Sequence, residues 1–180
     1  MKTNMRLLSL SVLLPLVIVT ACGLLSGTFV IERMFHNIDF TTQTGLYNVV
    51  VDMSEDEDWE EHEDQIEGID AIGFEIWITN NEAESAEFNI YLDELEQPVY
   101  ASQAELDSAG VPKILDGLEI DPGANFLSYG QSLGYLTNVE YMKTRVAEGT
   151  FMLYGTSDIG TTDGYHIDSL RVIVTVTVSY

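Results

Sequence analysis

The stretch Leu170-Arg171-Val172-Ile173-Val174-Thr175-Val176-Thr177-Val178-Ser179-Tyr180 alternates apolar and mostly polar side chains. A period of two is what a strand with one buried face requires. It places Leu170, Val172, Val174, Val176, Val178 and Tyr180 on one side. The same beat runs through Ile72, Phe74, Ile76 and Ile78, with Glu75, Trp77 and Thr79 opposite. It returns in Tyr47, Val49, Val51 and Met53, and in Phe88, Ile90 and Leu92. Further strands are expected at Thr28–Phe35, Ile114–Ile120, Asn125–Ser128 and Thr150–Tyr154. Many short strands separated by turn residues must pack sheet on sheet. The expected fold is therefore all-β, an antiparallel β-sandwich of about seven or eight strands with an immunoglobulin-like arrangement.

Two segments break the beat. Ser102-Gln-Ala-Glu-Leu-Asp-Ser-Ala ends at Gly110, with Ser102 placed as N-cap and Glu105 completing a capping box. Asn138 to Glu148 ends at Gly149, with Asn138 as cap and Gly149 as stop. Both read as short helices in connections between strands. Asn80-Asn81 reads as a hairpin turn, and Pro98, Pro112 and Pro122 fall between elements. There is no internal repeat or low-complexity tract.

The first residues have a different grammar. Lys2 and Arg6 precede an apolar run from Leu7 to Val19, shorter than the about 20 residues that span a bilayer. Charged start, apolar core and small-residue end form a secretory signal. The end reads Val19-Thr20-Ala21-Cys22, which resembles the lipobox of bacterial lipoproteins; Cys22 is the only cysteine in the chain. The resemblance implies cleavage between Ala21 and Cys22, a diacylglycerol on the Cys22 thiol and attachment to a cell-envelope membrane. It also leans towards the outer membrane in a host with two membranes, because Gly23 stands where an aspartate goes with inner-membrane retention. The expected organisation is a signal at 1–21, a lipidated tether at 22–27 and one sandwich domain at 28–180. With its thiol acylated, the folded part has no disulfide to draw on, so its core must stabilise it.

Charge narrows the partners. Thirty Asp and Glu stand against seven Lys and Arg, a formal net charge of −23. This excludes direct binding of nucleic acid or anionic headgroups, and any charged partner is expected to be cationic. The densest stretch, Met53-Ser-Glu-Asp-Glu-Asp-Trp-Glu-Glu-His-Glu-Asp-Gln-Ile-Glu-Gly-Ile-Asp70, holds ten carboxylates in eighteen residues. Trp59, Ile66 and Ile69 would share one side of a helix there, pinning it to the sandwich with its carboxylates in water. The same acidity fits a salt-adapted surface, where repulsion is screened.

Calcium is the alternative. Asp56 and Asp58 in this stretch, and Asp158, Asp163 and Asp168 in a second acidic turn, are the candidate ligands should the two converge at one end of a sandwich. The glycine that an EF-hand loop needs at its sixth position is missing from both, and Asp163-Gly164 reads more simply as a tight turn.

Catalysis finds little to stand on. His36, His62 and His166 are scattered, and there is no nucleophile elbow, zinc-binding helix motif or phosphate loop. Carboxylate pairs of the kind glycosidases use occur by chance in a chain this acidic. A transmembrane barrel is disfavoured by short strands, intervening helices and charged outer positions such as Glu75, Glu87 and Asp93. The expectation is a lipid-anchored binding or accessory module, without catalytic residues, that docks a protein partner in the envelope. Trp77 and Tyr91, on the outer sides of their strands, are the candidate docking aromatics.

Overall fold

The computed structural model describes residues 26–40, 46–95, 99–157 and 164–179, without the side chains of Asp39 and Phe40. The signal, Ala21 and Cys22 lie outside the described residues, as do Asp158, Asp163 and Tyr180. Among the described residues eight strands form: β1 Ser26–Phe40, β2 Leu46–Asp52, β3 Ile66–Asn80, β4 Ala86–Asp93, β5 Lys113–Ile120, β6 Gly123–Leu127, β7 Thr150–Ser157 and β8 Tyr165–Ser179. They make two four-stranded antiparallel sheets, ordered β1-β8-β3-β6 and β2-β7-β4-β5.

The pairs β1–β8, β2–β7, β3–β6 and β4–β5 are nested, as if one long hairpin had been rolled across two sheets. That path is a jelly roll. The antiparallel sandwich expected from the periodicity is what forms. Its connectivity is the rolled one, where a constant-type immunoglobulin domain orders its strands A-B-E-D and C-F-G.

Rolling changes what the turns do. Asn80-Asn81 is not a hairpin turn, because β3 and β4 lie in different sheets. It is a corner held by Asn80, whose Nδ2 donates to the carbonyls of Glu84 (2.9 Å) and Ile120 (3.1 Å). Its Oδ1 accepts from the Glu82 N–H at 2.8 Å. β7 and β8 also lie in different sheets, so Gly164, with φ 79°, opens β8 at a second corner.

The core sits between the sheets. Every apolar residue of the β8 beat from Leu170 to Val178 is buried, as are Ile72, Phe74, Ile76 and Ile78 opposite Phe88, Ile90 and Leu92. Removing such surfaces from water is the main stabilising term of a disulfide-free domain. A second, smaller core lies outside the β2-β7-β4-β5 sheet. There helix α2, Gln103–Ala109, which follows the acidic helix α1 at Glu57–His62, buries Leu106 against Tyr91, Met152 and Tyr154. The Ser102 side chain caps it by accepting from Glu105 N–H, Glu105 reaches Ala101 N–H, and Gly110 ends it at φ 74°.

β3 is fifteen residues long but β6 pairs with only its last five. Two helices occupy the rest of that edge: α3, Tyr129–Ser132, and α4, Val139–Ala147. Met142 and Val146 of α4 enter the main core. Gly73 of β3 is required here, because a Cβ on it would lie 2.5 Å from Tyr129 Cε2 and 3.2 Å from Ser132 Oγ. Asn138 starts α4 in the left-handed region at φ 50°, and its side chain, instead of capping the helix, donates to the Lys113 carbonyl.

Candidate functional site

The acidic stretch folds as a 3-10 turn at Met53–Glu55, α1, a second 3-10 turn at Glu63–Gln65, and then β3. Trp59 is buried and pins the segment to the rim, while Glu57, Asp58, Glu60, Glu61, Glu63 and Asp64 face water. Ile66 and Ile69 belong to β3, so the expected helical face of three apolar residues reduces to Trp59 alone. Asp56 is the N-cap of α1: its Oδ1 accepts from the N–H groups of Asp58 (3.0 Å) and Trp59 (3.2 Å). Asp52 plays the same part for the preceding turn, and its hydrogen bonds from the Ser54 hydroxyl and N–H hold its carboxyl below the usual carboxylate range.

Asp168 lies at the other end of the sandwich. It accepts from Thr79 Oγ1 at 3.2 Å and lies 3.6 Å from His166 Nε2. The end near α1 is where Ile66 pairs with Val178, ten residues further along β8. At about 3.3 Å per residue that is on the order of 30 Å. The expected convergence of Asp56 and Asp58 with Asp168 is therefore overturned: one ion cannot touch both ends. Among the described residues, no group of three or more His, Cys, Asp or Glu side chains is arranged to hold a metal ion.

The two candidate docking aromatics separate. Tyr91 does point outward from its sheet, but α2 covers it, leaving it 1% exposed. Its hydroxyl donates to Asp107 Oδ1 at 2.8 Å, and Lys113 Nζ lies 5.5 Å from its ring centroid. Burial, reinforced by the Asp107 carboxylate, raises the Tyr91 hydroxyl far above the ordinary tyrosine range. Tyr91 is a core residue, because a strand's outer face is free only where no connection folds back over it.

Trp77 remains on an open face, that of the β1-β8-β3-β6 sheet. Its ring stacks on Phe126 of β6, with centroids 4.4 Å apart and planes 28° apart. Arg171 of β8 lies over it at 6.0 Å, held in place by Glu75 (3.1 Å) and Glu32 (3.6 Å). Phe126 is 49% exposed, and further along the same sheet face Val30 (54%) and Met34 (40%) are bare. Glu32 stands exposed between Val30 and Met34 on β1, Arg171 and Glu75 share the row of Met34, and Asp70 and Asp168 stand exposed further along the same face.

Each of the five basic side chains among the described residues lies beside a carboxylate: Arg33 on Glu55, Lys113 on Asp116, Lys143 on Glu140, Arg145 on Glu94 and Glu148, Arg171 on Glu75. The remaining surface charge is almost all negative.

Beside Phe126 the edges of β5 and β6 part to leave a cleft of about 300 Å³. Ile78, Leu118 and Leu127 form its floor, with Tyr135, Glu119 and Phe126 around it. Sequence reasoning missed this cleft and Phe126. The α3 helix that walls it carries a readable signal, the capping box of Ser128 and Gln131, so Ser128 starts a helix where the expected strand Asn125–Ser128 would end. The facing of β5 and β6 carries no local signal at all.

No protein-family model and no curated protein matches the sequence. Among solved structures, the chain is similar to the BFDV capsid protein, crystallised as a decamer, with TM-score 0.43 and 9% identity over 86% of this chain and 99% of that one. It is similar to latent PorU from Porphyromonas gingivalis (TM-score 0.34, 9% identity, 86% of this chain, 13% of that one). A third likeness is to the Turnip Yellow Mosaic Virus structure (TM-score 0.37, 7% identity, 86% and 94%). At these identities and TM-scores the likenesses assign neither a family nor a function.

Proposed function

We propose that the chain is a lipid-anchored protein of the bacterial cell envelope, held through Cys22, whose jelly-roll domain docks a protein partner and performs no catalysis. The observation that carries the reading is the apolar strip on the outer face of the β1-β8-β3-β6 sheet. On this face Val30, Met34 and Phe126 stand exposed and Trp77 stacks on Phe126, interleaved with Glu32, Glu75 and Arg171. Exposed apolar and aromatic side chains set among charged ones, an arginine included, are the mix that protein-interaction surfaces use.

The tether fits this role. β1 starts at Ser26, so only Gly23, Leu24 and Leu25 separate it from Cys22, a reach on the order of 15 Å. That end of the sandwich also carries α1, where Phe29 of β1 meets His62 with ring centroids 4.5 Å apart. The acidic end faces the membrane and the apolar strip runs along the side, open to a neighbour in the same membrane.

The test is cell fractionation of two variants. C22S should release the protein from the envelope fraction. F126D should keep it membrane-bound but abolish its co-sedimentation with other envelope proteins at detergent concentrations that release it alone. Membrane retention of C22S with no acyl chain detected by mass spectrometry would overturn the anchor. Unchanged co-sedimentation of F126D would overturn the docking face.

A further inference from the structure

Extending the docking reading, on which it rests, we infer that the cleft between the β5 and β6 edges receives an extended segment of the partner in which a large apolar side chain neighbours a lysine or arginine. The cleft has an apolar floor, and the half-exposed Phe126 at its mouth belongs to both the cleft and the apolar strip. Its boundary is Glu119, which points outward between the inward-facing Leu118 and Ile120.

On the far side of Glu119 lies a second hollow of about 280 Å³, lined by Ser85, Ala86, Glu87, Gly117 and Glu119. In the register of β4 and β5, Glu87 stands directly across from Glu119. Like charges at directly opposed positions destabilise a strand pair, and a cation seated between them removes that repulsion. Among the described residues, no basic side chain lines either hollow. Lys113, at the other end of β5, is turned to Asp116 at 2.9 Å. An apolar hollow and an acidic hollow that share one wall accept an apolar and a basic side chain from one strand of polypeptide.

β6 supplies the geometry for an extended segment. It is the last strand of its sheet, so among the described residues its outer main-chain edge has no strand partner. Such an edge is where an added strand pairs.

The full chain, acylated and held in phosphatidylcholine nanodiscs, would be titrated with three fluorescein-labelled peptides against empty discs: Lys-Phe-Lys-Leu-Lys, Lys-Ser-Lys-Ser-Lys and Glu-Phe-Glu-Leu-Glu. The first should bind saturably, with each of the others weaker by about tenfold or more. E119K should weaken the first peptide by about tenfold and E119Q by several-fold. F126A should weaken it several-fold, and E60K on the distant α1 by less than about twofold. Thermal melts confirm that each variant is folded. Equal binding of the two basic peptides, or equal loss in E60K and E119K, would show that the overall negative field alone attracts them and would overturn the site. Failure here with the docking face intact in the fractionation of F126D would remove the cleft and leave the docking reading standing.

Discussion

The main-chain N–H of Phe74 donates to Ser132 Oγ at 3.0 Å, fifty-eight residues away and fully buried, and the same hydroxyl donates to the Tyr129 carbonyl at 2.7 Å. β3 outruns its partner β6, so an edge N–H in mid-sheet would be left without a strand to pair with. One serine on α3 takes its place. S132A should destabilise the domain by about 1–3 kcal/mol, because the N–H stays buried with no acceptor. Urea unfolding measures this, and a loss below about 0.5 kcal/mol would show that the edge is satisfied another way.

Gly73 makes the neighbouring contact. In G73A the new methyl meets the Tyr129 ring, which must shift, at a cost of about 1–3 kcal/mol. Removing the ring should return part of that loss, so G73A and Y129A should couple in a double-mutant cycle. Simple additivity would mean that the ring moves freely.

Tyr91, Tyr141 and Tyr154 each have a hydroxyl pKa raised in the fold, in each case first by burial. A group that holds its proton more tightly when folded contributes stability that is fully present below its unfolded pKa. That contribution is lost as pH rises past about 10, where unfolded tyrosines ionise. Melting temperature should therefore fall above about pH 10, and Y91F should flatten part of that fall. A decline that is identical in Y91F would remove Tyr91 from the linkage.

With five paired bases among the described residues and a net charge of −23 over the chain, repulsion should dominate at low salt. Melting temperature should rise smoothly as sodium chloride shortens the Debye length from about 10 Å at 0.1 M to about 3 Å at 1 M. Calcium and magnesium at matched ionic strength should act alike, since Asp56 caps a helix and Asp168 lies at the opposite end. A saturable rise specific to calcium would restore a metal site.

Period two made most of this fold legible. Leu170 to Val178 and Ile72 to Ile78 are buried on the side the beat assigns, because alternation in a strand is a local property. The ends of α2 were readable for the same reason: Ser102 and Gly110 act within one turn of themselves. The rolled connectivity was not readable, since Asn80-Asn81 serves a corner as readily as a hairpin. Tyr91 and Trp77 look alike in sequence, both aromatic and both on outer strand positions, yet α2 folds over Tyr91 while, among the described residues, Trp77 meets only side chains of its own sheet face, Phe126 and Arg171. Which outer face stays bare depends on where a connection lands, and that depends on contacts distant in sequence. Phe126 and the cleft were hidden behind the same long-range pairing.

The docking face is tested most directly by a photo-crosslinking amino acid placed singly at position 77, 126, 30 or 60 of the full chain in its native envelope. The account predicts one crosslinked adduct of the same mass from positions 77, 126 and 30, abolished by R171E or by prior capture of the face with an antibody fragment, and none from position 60 on α1. Adducts equally strong from position 60, or none from any position on the β1-β8-β3-β6 face, would contradict it.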